Sequence, residues 1–155
     1  MKKTYEQDIQ EKNIRIVFDN LTLSLMMEVN VEQFSKVLAG ILKNSMYALL
    51  KKSETVTFSP EIFLGLKVNK DMLEITIRDN GSGIDENIKD KIFAPFFTTK
   101  TTGEAAGVGL YLCREIVQNH RGTIEVESKK GEYTQFLITI PVYQPKTITP
   151  PKEEE

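Results

Sequence analysis

The sequence predicts a two-layer α/β sandwich, a mixed and mostly antiparallel sheet covered by three helices. Runs with period-two alternation, at residues 61–68, 72–78, 123–128 and 134–142, read as strands. Longer stretches at residues 31–51 and 107–120 repeat their apolar residues with helical period instead. Strand pairs sit next to each other at both ends of the chain, without the regular strand–helix alternation of a doubly wound parallel sheet.

The elements follow in order. Residues 1–12 are polar and helix-tolerant and read as the end of an upstream helical linker. Ile14, Ile16 and Phe18, then Leu21, Leu23 and Leu25, flank Asp19-Asn20 and predict a hairpin. Phe34, Leu38, Ile41, Leu42, Ser45 and Leu49 form one helical stripe. Two strands, Glu61–Val68 and Met72–Arg78, are joined at Asn69-Lys70-Asp71, and a short helix is expected over Asp85–Ile92. Phe93–Ala106 lacks periodicity. The last helix runs from about Gly107 to His120 and stops near Gly122, where a left-handed cap is expected. A strand pair over Thr123–Ser128 and Thr134–Val142 closes a domain spanning residues 13–143. Residues 144–155, rich in Pro, Lys, Thr and Glu, read as a disordered tail, its final Glu153–Glu155 run simply solvated.

Bulk properties narrow the function. With 155 residues, 40% of them apolar, the chain is long enough for one core. A net charge of −2 gives no global attraction to nucleic acid or an anionic membrane, so a phosphate site must be local. Cys113 is the sole cysteine and excludes an internal disulfide; with one histidine, it also argues against structural zinc. No apolar run reaches bilayer length, and Met1-Lys2-Lys3-Thr4-Tyr5-Glu6 is no signal peptide. The domain reads as cytoplasmic, without direct membrane contact, and any membrane sensor lies outside the chain.

Three segments carry chemistry. In Asp79-Asn80-Gly81-Ser82-Gly83-Ile84, alternation from Leu73, Ile75 and Ile77 puts Asp79 on the buried face. A carboxylate there needs hydrogen-bond donors, and an adenine amino group is one, with Gly81 and Gly83 allowing close backbone approach. Alone, the hexapeptide reads equally well as a turn in which Asp79 bonds nearby amides. Asn44 lies at the border of its helix's apolar stripe, with Gly40, Tyr47 and Lys51 on the same edge. Its carboxamide suits a magnesium ion, although such a residue is more often merely solvated. Finally, Gly103-Glu104-Ala105-Ala106-Gly107-Val108-Gly109-Leu110 opens the last helix, where exposed amides and the helix dipole favour phosphate; glycine runs are also ordinary in loops.

In this order and spacing the three segments resemble the N, G1 and G2 boxes of the catalytic domains of bacterial sensor histidine kinases. Between them, Ile92-Phe93-Ala94-Pro95-Phe96-Phe97-Thr98-Thr99-Lys100 is similar to the F box of that family. Ile116–Ile124 and Thr134–Pro141 continue the pattern, and the likeness covers Lys12–Val142. The wider superfamily includes gyrase, heat-shock chaperone and mismatch-repair ATPases, and its Bergerat-type fold is the one the resemblance implies.

The resemblance implies ATP and Mg2+ as ligands. Asp79 would bind the adenine amino group, Gly81 and Gly83 would line the base, and Asn44 would hold the metal. Gly107, Gly109 and Leu110 would meet the phosphates. Tyr47, Ile84, Phe96, Thr98, Thr99, Lys100, Val108 and Thr134 complete the implied nucleotide site, and Phe97–Ala106 would be its lid. The implied partners are the dimerisation and phosphoacceptor domain of a parent kinase and a response regulator. The acceptor motif pairs a histidine with an adjacent acid; His120 stands between Asn119 and Arg121 and reads as structural. Cys113 reads as core filler. No catalytic base is assigned, and self-phosphorylation by this chain alone is not expected. The sequence departs from the family pattern at Gly40, where a second Asn is usual, at Ala105 for Gly, and at Arg121 within the His-Gly-Gly pattern. An anti-sigma-type serine kinase and a non-catalytic nucleotide-binding module remain as alternatives.

Overall fold

The computed structural model describes residues 5–19, 27–97 and 108–142. A five-stranded sheet contains β1 (Arg15–Asp19), β2 (Glu61–Asn69), β3 (Met72–Asp79), β4 (Thr123–Lys129) and β5 (Tyr133–Pro141) in the order β1-β2-β3-β5-β4. Only the β1–β2 pairing is parallel, with Arg15 opposite Glu61; the other three are antiparallel. The described partner of β1 is therefore β2, reached through a helix. The second arm expected over Leu21–Leu25 lies outside the described residues.

Alternation decides which face of the sheet is buried. Leu73, Ile75, Ile77 and Asp79 of β3 are buried, and so are Thr134, Phe136, Ile138 and Ile140 of β5. Against them lie Val37, Ile41, Met46 and Leu49 of α2 (Val31–Ser53) and Cys113, Ile116 and Val117 of α3 (Val108–Asn119). Ahead of β1, α1 (Tyr5–Glu11) adds Ile9 to the edge of this core. The buried stripe of α2 shares Ile41, Ser45 and Leu49 with the predicted one, but Val37 and Met46 are deeply buried where Phe34, Leu38 and Leu42 are only partly so.

Helix ends are closed locally. Asn30 caps α2, its Oδ1 accepting from the Gln33 N–H at 3.0 Å. At the end of α3, Arg121 and not Gly122 takes the left-handed conformation, with φ of 60°. The Arg121 and Gly122 amides donate back to Gln118 and Val117, the paired bonds of a Schellman ending. Gly122 serves close packing, since a Cβ there would meet the Thr139 carbonyl oxygen at 2.4 Å. His120 joins the two helices: Nδ1 donates to the Ile116 carbonyl at 2.7 Å, and Nε2 accepts from the Asn30 N–H at 3.0 Å.

The segment expected as a short helix over Asp85–Ile92 is instead a series of turns with one 3-10 helix, Lys89–Lys91. The Lys89 amide donates to the Asp85 carbonyl at 3.1 Å in the α-helical pattern, but the bonds that follow, Lys91 to Ile88 at 2.8 Å and Ala94 to Lys91 at 2.9 Å, close over three residues. Two α-helices and this 3-10 segment therefore follow one another in the places of the three expected helices. No helix among the described residues is long and apolar enough to cross a membrane.

Candidate nucleotide site

A cavity of about 590 Å3 opens between α2, α3 and the loop after β3. That size is within the range of small-molecule sites. Asp79, Thr134 and Phe136 contribute from the sheet, Asn44, Tyr47 and Ala48 from α2, and Gly109 and Leu110 from the first turn of α3.

Asp79 is 2% exposed. Burial pushes its carboxyl from the ordinary 3.8 up to about 6, opposed by the Gly81 N–H, the Ser45 hydroxyl and the charges of Lys52 and Arg78. The Gly81 bond is firm, at 2.9 Å to Oδ1. The Ser45 hydroxyl, itself buried, makes no hydrogen bond of normal geometry among the described residues, so its hold on Asp79 is loose. A buried carboxylate with spare lone pairs at a cavity wall is a costly arrangement without a polar ligand.

The loop after β3 is packed against protein on two sides. A Cβ on Gly81 would meet the Ala48 carbonyl carbon at 2.7 Å, and one on Gly83, whose φ is +65°, would meet the Lys129 carbonyl oxygen at 2.2 Å. The Ser82 N–H donates to the Ala48 carbonyl at 3.1 Å, and the Gly131 N–H donates to the Ser82 carbonyl at 2.7 Å. The two glycines are required by neighbouring backbone, a reason different from the ligand approach expected of them. Gly83 borders the cavity; Gly81 lies beneath Ala48.

Asn80 was passed over in the sequence and proves structural. Its Oδ1 accepts from the Glu61 N–H at 2.8 Å, and its Nδ2 donates to the Ser59 carbonyl at 2.9 Å. Lys52 donates to the Asn80 carbonyl at 2.9 Å and lies 4.5 Å from the Phe58 ring centroid.

Four lysines border the cavity, Lys36, Lys43, Lys51 and Lys130, and suit a polyanionic ligand. Lys36 pairs with Glu32 at 3.3 Å and Lys130 with Asp85 at 2.8 Å. The first three were legible as a series: 36, 40, 43, 47 and 51 fall on one helix face with Asn44 at its edge. Among the described residues no group of three or more His, Cys, Asp or Glu side chains is placed to hold a metal. A metal here would rest mainly on its ligand's phosphates, with Asn44 as a neutral protein donor.

Of the remaining predicted positions, Ile84 borders the cavity. Phe96 is 78% exposed with φ of 60°, and the cavity wall is formed by its neighbour Phe97. Val108 begins α3. Thr98, Thr99, Lys100 and Gly107 lie outside the described residues, as does the expected lid beyond Phe97. Gly40 borders the cavity where α2 crosses α3, and a Cβ on it would meet Cys113 Sγ at 2.9 Å. Burial raises the Cys113 thiol to about 11, as expected of core filler.

Comparison with known proteins bears directly on this site. Residues 30–144 match the family described as histidine kinase-, DNA gyrase B- and HSP90-like ATPase. The sensor histidine kinase AtsR of Burkholderia thailandensis is 33% identical over 90% of this chain and 24% of its own length. Sporulation kinase E of Bacillus subtilis is 35% identical over 72% of this chain and 14% of its own. The chain thus spans under a third of the length of these relatives. The solved catalytic domain of the histidine kinase ThkA superposes with a TM-score of 0.73 at 29% identity, covering 88% of this chain and 84% of that one. The chain therefore belongs to the histidine kinase-, DNA gyrase B- and HSP90-like ATPase family, as the catalytic ATPase part of a histidine kinase.

Proposed function

We propose that the cavity takes Mg–ATP and that the γ-phosphate passes to a histidine on the dimerisation domain of a parent kinase, from which a response regulator receives it. Asp79 carries the reading, as a buried acceptor at the inner end of a cavity rimmed by lysines. Adenine lies inward with its amino group on Asp79. The triphosphate runs toward Gly109 and Leu110, where the first-turn amides and the dipole of α3 favour anions. Asn44 would hold the nucleotide's magnesium through its carboxamide oxygen, and the ion would supply neutralisation of phosphate charge there.

In the transfer, an imidazole nitrogen of the acceptor bonds to the γ-phosphorus as the bond to the bridging oxygen breaks, releasing ADP. The imidazole proton leaves to a base supplied with the acceptor. This chain's share is positioning and electrostatics. Calorimetric titration with ATP, ADP and GTP tests the binding half. ATP and ADP are expected to bind and GTP far less, with Asn44→Asp changing the magnesium dependence more than metal-free binding. Equal affinity for ATP and GTP would refute the assignment of Asp79. Equal loss with magnesium and with chelator would remove Asn44 as a metal ligand.

A further inference from the structure

Three side chains form a row across the helix-covered face of the sheet. Thr134 of β5 stands opposite Asp79 of β3 on one side and opposite Ser128 of β4 on the other. Asp79 and Thr134 border the cavity and are buried; Ser128 is half-buried behind them. The protons in this row can be counted. A serine hydroxyl has one proton to give and two lone pairs to receive with. Ser128 Oγ lies 2.7 Å from the Tyr133 carbonyl oxygen, which only accepts, so the Ser128 proton is committed there. One lone pair receives the Ile84 N–H at 2.8 Å. The remaining contact, 3.0 Å to Thr134 Oγ1, therefore runs from threonine to serine. Thr134 has spent its only proton and offers the cavity lone pairs alone.

We propose that Ser128 is a specificity-determining positioning residue: by taking the Thr134 proton it leaves two acceptors, Thr134 and Asp79, facing the purine 6-position. This rests on the adenine reading above. A 6-amino group has two N–H bonds to give to such a pair. A 6-oxo group would set an acceptor against this pair of acceptors, with no donor in the pair to answer it. The Ser45 hydroxyl does not border the cavity and cannot supply that donor. The Ser128 hydroxyl thereby acts on the base without touching it, through the direction of one hydrogen bond.

The test uses the full 155-residue chain and two nucleotides, ATP and inosine triphosphate, which differ at the 6-position without the added 2-amino group of guanine. Wild type is expected to prefer ATP by roughly tenfold or more. Ser128→Ala frees the Thr134 hydroxyl to rotate and donate, so the ATP-to-ITP affinity ratio falls several-fold. Ser128→Thr keeps the hydroxyl and keeps the ratio. Circular dichroism checks folding. If Ser128→Ala does not fold, Ser128→Cys replaces it with the same readout, because sulfur accepts only weakly. An equal loss of both nucleotides in Ser128→Ala, with the ratio unchanged, means a merely structural role and overturns the inference while leaving the adenine reading intact. Wild type without any preference for ATP overturns both.

Discussion

Asp79 is where the costs of folding and the needs of binding oppose each other. Its carboxyl titrates near 6 in the fold against an ordinary 3.8, because burial disfavours the charge. A carboxyl whose folded pKa is raised holds its proton more tightly when folded. That stabilising contribution is complete below about 3.8 and is lost as pH rises through about 6. At neutral pH the ligand-free protein therefore carries a buried charge that Asp79→Asn removes, while an amide oxygen can still accept the Gly81 N–H. The substitution is expected to raise the stability of the ligand-free protein by on the order of 1–3 kcal/mol. It should also weaken ATP binding by about 1.5–3 kcal/mol. Chemical denaturation and calorimetry on the same samples measure the two effects; a variant that is both less stable and undiminished in binding would contradict the account. Since adenine's amino group requires an acceptor, ATP affinity should also decline as pH is lowered from 7 through about 6, and a flat profile would count against Asp79.

At the scale of elements, α2 carries both the core and the site, and it packs closely against α3 at Gly40. Gly40 and Cys113 meet there, with room for no Cβ on Gly40 unless Sγ gives way. Gly40→Ala is expected to destabilise by about 1–3 kcal/mol. Cys113→Ala added to it should recover part of that loss, a coupling of about 0.5–3 kcal/mol in a double-mutant cycle. Strict additivity would show that the crossing is looser than described. The crossing also gives a physical reason for the glycine: the family's usual asparagine would not fit at position 40 beside Cys113 without rearrangement. The His120 bridge between Ile116 and Asn30 belongs to this scale too, and His120→Ala should cost about 1–3 kcal/mol by leaving the Asn30 N–H and the Ile116 carbonyl without their partner. Thermal or denaturant unfolding would detect it, with no change expected in nucleotide affinity.

These elements also show what was legible beforehand. The β2–β3 and β4–β5 pairs were readable because strict alternation from Leu73 to Asp79 and from Thr134 to Ile140 admits one buried face. That same alternation placed Asp79 in the core. The parallel pairing of β1 with β2 was not readable, since nothing local distinguishes a strand that turns back from one that crosses over through a helix. The Arg121 cap was missed because glycine is the usual left-handed residue, whereas here Gly122 is reserved for contact with β5. Asn80 and Ser128 were invisible for another reason. Their work is done by side-chain bonds to residues 19–21 and 5–44 positions away, which no periodicity reports.

At the scale of the whole molecule, the proposed transfer needs an acceptor histidine besides the nucleotide cavity. The chain's own histidine cannot substitute. His120 follows the last residue of α3, while the phosphate end of the cavity lies at the first turn, on the order of 20 Å away at 1.5 Å per residue. Its two ring nitrogens are engaged with Ile116 and Asn30, and in-line transfer needs reacting atoms within about 3.5 Å. The most direct test incubates the full chain with γ-labelled ATP, alone and with the dimerisation fragment of the parent kinase proposed for it. Base-stable, acid-labile label is expected on the added fragment only, strongly reduced in Asp79→Asn and unaffected by His120→Gln. Label on this chain alone that disappears with His120→Gln, or no label on either partner despite bound ATP, would contradict the proposed transfer.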